Sequence, residues 1–208
     1  MAQIEKIDFK KTRKDFFSAK PDFNLITLPS VKYLMIDGAG APESEQFTSA
    51  IELLYPLAYT LKFQQKALGA DFAVPPLEGV WWADDHSAYP DNRRDEWKWT
   101  LMIMMPDALT GSDLEWAQSE VLRKKGLDSS AVRLEVFEEG LCAQVLHIGP
   151  YADEAPVLER LHSTFMPEHN LTFNGYHHEV YLSDARRVDA TKLKTILRQP
   201  VKRTNAKP

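Results

Sequence analysis

The sequence predicts an α+β fold built from two copies of one unit, and three observations carry that prediction. Two stretches read as strand–turn–strand. Phe23 to Leu28 passes through Pro29-Ser30 into Val31 to Ile36, and Val132 to Phe137 passes through Glu138-Glu139-Gly140 into Leu141 to Ile148. Each is followed by a glycine–proline turn and then by apolar residues at helical spacing. Strand-like sequence follows each helix. The order hairpin–helix–strand therefore recurs at an offset of about 110 residues, although the individual residues do not.

Taken in order, residues 1–22 form an N-terminal extension, and residues 23–200 the domain. Module one covers about 23–110, module two about 130–185, and residues 201–208 are a basic tail. In the first helix Phe47, Ile51, Leu54, Ala58 and Leu61 recur at intervals of three and four. Pro42 suits its first turn, and Pro56 should kink or split it near Tyr55. Gly79 to Trp82 and Trp97 to Met105 read as strands, and the polar stretch Ala83 to Asp95 between them as a loop that could serve as a pocket rim or lid. A joining helix starts at the capping-box spacing of Ser112 and Glu115 and stops at Gly126, with Leu114, Ala117 and Val121 on its inner face. The second repeat places Val157, Leu158, Leu161 and Phe165 on a helical stripe with Pro156 early in it, then a strand from Tyr176 to Leu182. A last short helix is expected over Lys192 to Arg198, ending before Pro200.

Composition narrows the function. The chain has 208 residues, 44% hydrophobic and 26% charged, which is ordinary for a globular protein. Its formal net charge of -5 argues against a general attraction to nucleic acid. Basic residues gather at both ends and read as solvated tails. Cys142 alone rules out an intrachain disulfide; in the apolar run Leu141 to Ile148 it reads as a packed core thiol rather than a nucleophile. No stretch resembles a signal peptide or approaches about 18 apolar residues, so a cytoplasmic location without a membrane span is expected. No phosphate loop, dinucleotide fingerprint or Gly-x-Ser-x-Gly occurs, which argues against a kinase, a dehydrogenase or a serine hydrolase.

Two features carry chemistry. Trp81, Trp82, Trp97 and Trp99 are four of the five tryptophans. They fill the core or line a cavity that stacks on planar or cationic ligands. On strands, Trp97 and Trp99 share a face and Trp81 and Trp82 do not. The second feature is Tyr176-His177-His178-Glu179-Val180-Tyr181-Leu182, where alternation puts His177, Glu179 and Tyr181 on one face. A glutamate inside an apolar strand is costly unless paired or used. It could bind a cation when ionised or pass a proton when neutral; the plain alternative is a water-facing side chain. His177 and Glu179 with Asp84, Asp85 and His86 do not match a structural zinc spacing, and no metal or other cofactor is expected.

The segments Pro76 to Trp82, Lys98 to Asp107 and His177 to Asp184, with Tyr55 to Phe63 and Gly149-Pro150-Tyr151, resemble the GyrI-like small-molecule-binding family over about Phe23 to Pro200. The resemblance implies two pseudo-twofold-related β-α-β-type modules, whose antiparallel sheets form a ligand groove and carry helices on their outer faces. It implies a small planar apolar or cationic ligand, a functional glutamate at Glu179, and Trp81, Trp82 and Trp99 among the ligand-binding aromatics. Tyr55, Tyr151, His177 and Tyr181 are further ligand-binding candidates, the tyrosines as donors to a ligand carbonyl. The matching segments look most similar to a stand-alone subfamily that hydrolyses cyclopropanoid compounds. A drug sponge or effector sensor, and a protein-interaction module such as a gyrase inhibitor, are the alternatives.

Overall fold

The computed structural model describes residues 6–85, 88, 91 and 93–204. Its strands are Asn24–Leu28 (β1), Val31–Ala39 (β2), Glu78–Trp82 (β3), Lys98–Met105 (β4), Arg133–Phe137 (β5), Gly140–Ile148 (β6), Leu171–Phe173 (β7), His177–Tyr181 (β8) and Lys194–Arg203 (β9). Its α-helices are Phe9–Thr12 (α1), Lys14–Phe17 (α2), Glu45–Ala67 (α3), Gly111–Lys125 (α4), Ala155–Arg160 (α5) and Met166–Glu168 (α6). The fold is α+β with antiparallel sheets, as the sequence predicts.

The expected hairpins do not form. β1 pairs with β6, and β2 pairs with β5, each antiparallel. The arms are strands, but each takes its partner from the other strand–turn–strand stretch. The chain accordingly divides into two units, Met1–Thr12 with Val31–Phe137, and Arg13–Ser30 with Glu138–Pro208. The repeat survives in altered form: β2–α3–β3–β4 in the first unit matches β6–helix–β8–β9 in the second, with β5 and β1 as the respective added strands.

In the first unit the strands run β3-β4-β2-β5. α3 packs on β2 and β4 and also against α4. Leu54, Leu57, Ala58 and Leu61 of α3 are fully buried, as are Leu34, Leu101 and Ile103 of the sheet. Burying one such leucine stabilises by about 1.5–3 kcal/mol, which is what turns a helical stripe into a docked helix. α3 is continuous through Pro56 over 23 residues, so the expected break is absent. It begins at Glu45 after the N-cap Ser44, later than Pro42 suggests. The capping box of α4 is Thr110 with Asp113 rather than Ser112 with Glu115; Gly126 closes the helix in the left-handed conformation at φ 68°.

In the second unit the strands run β1-β6-β9-β8, and β7 also pairs with β9. The expected final helix is instead a single 3-10 turn, Ala190–Lys192, followed by the ten-residue strand β9. Seven consecutive residues of β9, Thr195 to Val201, are buried. Burial on both faces removes the alternation that marks a strand, which is why the sequence misleads there. Between β6 and β7 the chain forms α5, one π-helical turn over Leu161–Phe165, and α6. These pack Leu161 and Met166 against Ala143, Leu171 and Val201. The N-terminal extension also contributes to packing: Phe9, Phe16 and Phe17 are buried. Val201 to Arg203 of the expected tail belong to β9, and residues 205–208 lie outside the described residues. Cys142 is fully buried; desolvation pushes its thiol up, so it stays protonated.

Candidate functional site

The tryptophans build the centre of the first unit. Trp81 and Trp99 are direct partners across β3 and β4, so they share a face, and Trp82 takes the other with Lys98 opposite it. Phe47 from α3 meets both rings, stacked on Trp81 at 5.6 Å and edge-on to Trp99 at 5.2 Å between centroids. Trp97 joins edge-on to Trp81 at 6.1 Å. Trp99 is fully buried and Trp81 is 5% exposed, while Trp82 is half-buried. The face opposite α3 carries a carboxylate that sequence reading missed: Glu78 is fully buried and accepts a 3.3 Å hydrogen bond from the Tyr33 hydroxyl. Tyr55 lies on α3 and stacks on Tyr59 at 6.4 Å.

The second unit carries the titratable cluster. β8 alternates as predicted, with His178 and Val180 fully buried on one side and His177, Glu179 and Tyr181 half-buried on the other. Glu179 pairs with Leu197 and Tyr181 with Thr195 on β9; Leu197 and Thr195 in turn face Val145 and His147 of β6. His177 Nε2 lies 3.2 Å from Glu179 Oε1 and donates to it in the tautomer that carries the Nε2 proton. Both side chains are largely shielded, at 13% and 15% exposure. Tyr151 meets Tyr181 edge-on at 5.8 Å. Thus four of the expected site residues, Tyr151, His177, Glu179 and Tyr181, lie together in this unit.

The residue that sequence reading did not find is Glu154. It follows the 3-10 turn Tyr151–Asp153 and precedes α5, yet makes no capping hydrogen bond. It is only 5% exposed, and its Oε1 has no hydrogen-bond partner among the described residues. Burial, reinforced by the Glu179 carboxylate, pushes it up to about 9. Tyr151 is likewise raised to about 12, first by burial and then by Glu154, Glu179 and Asp184, so its hydroxyl remains a donor. His162, on the π-helical turn, is pushed down to about 4 by burial and by His177, and remains neutral. The two neighbouring carboxyls thus have different tasks open to them: a proton donor at Glu154 and a hydrogen-bonded acceptor at Glu179. A cleft of about 320 Å³ lies on the same unit, lined by Phe23, Val145, His147, Ile148, Val157 and Arg160 among others. Val157 and Arg160 belong to α5, directly after Glu154.

On the opposite side of the β8–β9–β6 sheet, Arg198, Glu139 and His178 form a closed ionic group. Arg198 Nη1 donates to Glu139 Oε2 at 3.1 Å and Nη2 to the Phe16 carbonyl at 3.0 Å; His178 Nδ1 is 2.8 Å from Glu139 Oε1. Burial pushes Glu139 up, but the His178 and Arg198 charges outweigh it and hold the carboxyl down at about 2. This group anchors β8 through His178, the residue next to Glu179.

Asp84 and Asp85, raised above as metal ligands with His86, are engaged in ion pairs with Lys98 and Arg93, each at 2.6 Å; His86 lies outside the described residues. Among the described residues no group of three or more His, Cys, Asp or Glu could hold a metal ion, and no helix is long and apolar enough to cross a membrane.

The sequence model described as the GyrI-like small molecule binding domain matches residues 21–202. A crystal structure of an uncharacterized conserved protein from Listeria innocua is 41% identical, with a TM-score of 0.89, covering 95% of this chain and all of that one. Another Listeria innocua protein, described as a hydrolase, is 40% identical with a TM-score of 0.83 over the same shares. The C-terminal domain of EcmrR, at 13% identity and a TM-score of 0.56 over 88% of this chain and 98% of that one, shares the fold. No curated protein matches the chain.

Proposed function

The chain belongs to the GyrI-like small-molecule-binding family, and from that premise we propose that it captures planar xenobiotics and opens strained cyclopropanoid rings by adding water. The single observation that carries the reading is the shielded His177–Glu179 pair, with its 3.2 Å contact, between Tyr151, Tyr181 and Glu154. Adding water to a strained ring carbon needs a base for that water, and a hydrogen-bonded carboxylate on a rigid strand supplies one. The 40% identity to a protein described as a hydrolase supports the same reading.

In this mechanism Glu179 takes a proton from a water while that water attacks the ring methylene. The ring C–C bond breaks, and its electron pair passes through the conjugated system to the ligand carbonyl oxygen. Tyr151, which feels the Glu179 charge and packs edge-on against Tyr181, is the donor to that oxygen, and such donors are worth most where charge develops. His177 orients the Glu179 carboxylate.

The test is product formation from a spirocyclopropyl cyclohexadienone probe, followed by mass spectrometry. Glu179→Gln should lower turnover about 100-fold or more while leaving tryptophan quenching by the probe largely unchanged. Equal turnover by both proteins removes Glu179 from the chemistry. Quenching without ring-opened product from the wild-type protein would make it a binding protein that sequesters its ligand.

A further inference from the structure

Resting on the ring-opening reading, we propose that Glu154 is the acid of this site: its carboxyl gives a proton to the oxygen on which negative charge collects as the strained ring opens, while Glu179 takes a proton from the attacking water.

Three observations support this role. Glu154 is 5% exposed and its Oε1 has no hydrogen-bond partner among the described residues, so the side chain is neither solvated nor used to cap α5. A buried polar atom without a partner is costly, and functional sites are where such costs are retained. It lies within the electrostatic reach of Glu179, and two neighbouring carboxyls in a poorly solvated place do not both ionise. Finally, Glu154 is the better-buried of the two, whereas Glu179 has the His177 ring at 3.2 Å as a hydrogen-bond partner. The environments therefore separate the roles, with acid at Glu154 and base at Glu179.

The other groups around Glu154 agree with this. Tyr151 precedes it in the turn and is itself held neutral. Thr195 on β9 is the one hydrogen-bonding group that acts on the Glu154 side chain in the opposite direction, and burial and the Glu179 charge outweigh it. His147, opposite Thr195 on β6, has Nε2 engaged with the Pro150 carbonyl at 3.1 Å.

The step balances. The water oxygen bonds to the ring methylene, the ring C–C bond breaks, and its electrons reach the carbonyl oxygen, which becomes a phenol with the proton from Glu154. Glu179 ends protonated and Glu154 ionised. Passage of one proton from Glu179 to its neighbour Glu154 restores both, and the net reaction is addition of one water.

The experiment uses the full-length protein and the spirocyclopropyl probe, with kcat measured against pH for the wild type, Glu154→Gln and Glu154→Asp. The wild-type rate should fall as pH rises through about 9, because the acid form is then lost. Glu154→Gln should lower kcat by about 100-fold and abolish that alkaline fall; Glu154→Asp should retain the fall. Infrared spectroscopy at neutral pH gives an independent readout. A protonated-carboxyl band should be present in the wild type and in Glu179→Gln and missing in Glu154→Gln. Wild-type turnover with an unchanged rate and alkaline limb in Glu154→Gln overturns the acid role and spares the hydrolase reading. A band unaffected by Glu154→Gln also overturns it. If the wild type forms no product, the hydrolase reading fails and the acid role falls with it, whatever the infrared band shows.

Discussion

Gly38 shows how one atom fixes the aromatic centre of the first unit. It lies directly opposite Trp99 in the β2–β4 ladder, and the Trp99 indole lies over its backbone. A Cβ at position 38 would come within 2.1 Å of Trp99 Cη2, far inside van der Waals contact. Trp99 has no exposed side to move toward, and Phe47 holds its edge. Gly38→Ala should therefore destabilise the protein by about 3 kcal/mol, at the upper end of overpacking costs, as read from urea unfolding. A change below about 0.5 kcal/mol would show that the ring is not held there. The same scale separates what sequence reveals about the site from what it hides. Glu179 is legible because it interrupts an apolar alternation. Glu154 is not: in Ala152-Asp153-Glu154-Ala155-Pro156 it reads as an ordinary acidic residue before a helix. Its lack of exposure depends on β8 and β9, some twenty-five and forty residues downstream. The tryptophans reveal a cluster but not its purpose, since a ring packed on Phe47 and a ring facing a ligand need the same residue type.

Among the elements, legibility follows the strength of local signals. α4 is legible from its stripe and from Gly126, but its cap lies two residues before Ser112, because Ser112 and Glu115 imitate the true capping box. Thr110 accepts from the Asp113 amide at 3.3 Å, and Asp113 Oδ2 accepts from the Thr110 amide at 2.9 Å. Thr110→Ala should cost about 1 kcal/mol in thermal or urea unfolding, while Ser112→Ala, which removes no cap, should be nearly neutral. Reversal of that order would return the helix start to Ser112. α3 and β9 show the limits of local signals. Pro56 removes one helical hydrogen bond, yet α3 continues through it because Leu54, Leu57, Ala58 and Leu61 are all buried on the sheet side. The segment Lys192 to Arg198 reads as a short helix ending before Pro200 because a strand buried on both faces shows no alternation. Its pairing with β6, β7 and β8 decides between the two, and pairing partners are not written in the segment itself.

At the scale of the whole chain, the main surprise is the exchange of strands between the two strand–turn–strand stretches. Each arm alternates correctly for either partner, so pattern alone cannot choose between pairing neighbours and pairing at long range. The exchange means that the second unit is not a contiguous stretch of sequence. It needs Arg13–Ser30, which supplies β1 along β6, and α2 with Phe16 at 1% and Phe17 at 6% exposure. It also needs the Phe16 carbonyl, which accepts from Arg198. A fragment of residues 138–208 would retain Arg198, Glu139 and His178 but lose that acceptor and the phenyl cover. The ionic group would then face water, and a charged group loses most of its structural value once solvated. The fragment alone should therefore be largely unfolded by circular dichroism. A peptide of residues 13–30 added in trans should restore β-structure saturably, and the same peptide with Phe16→Ala and Phe17→Ala should not. Independent folding of residues 138–208 would refute the dependence. Restoration by the doubly substituted peptide would assign the effect to β1 pairing alone, leaving the α2 aromatics without a folding role.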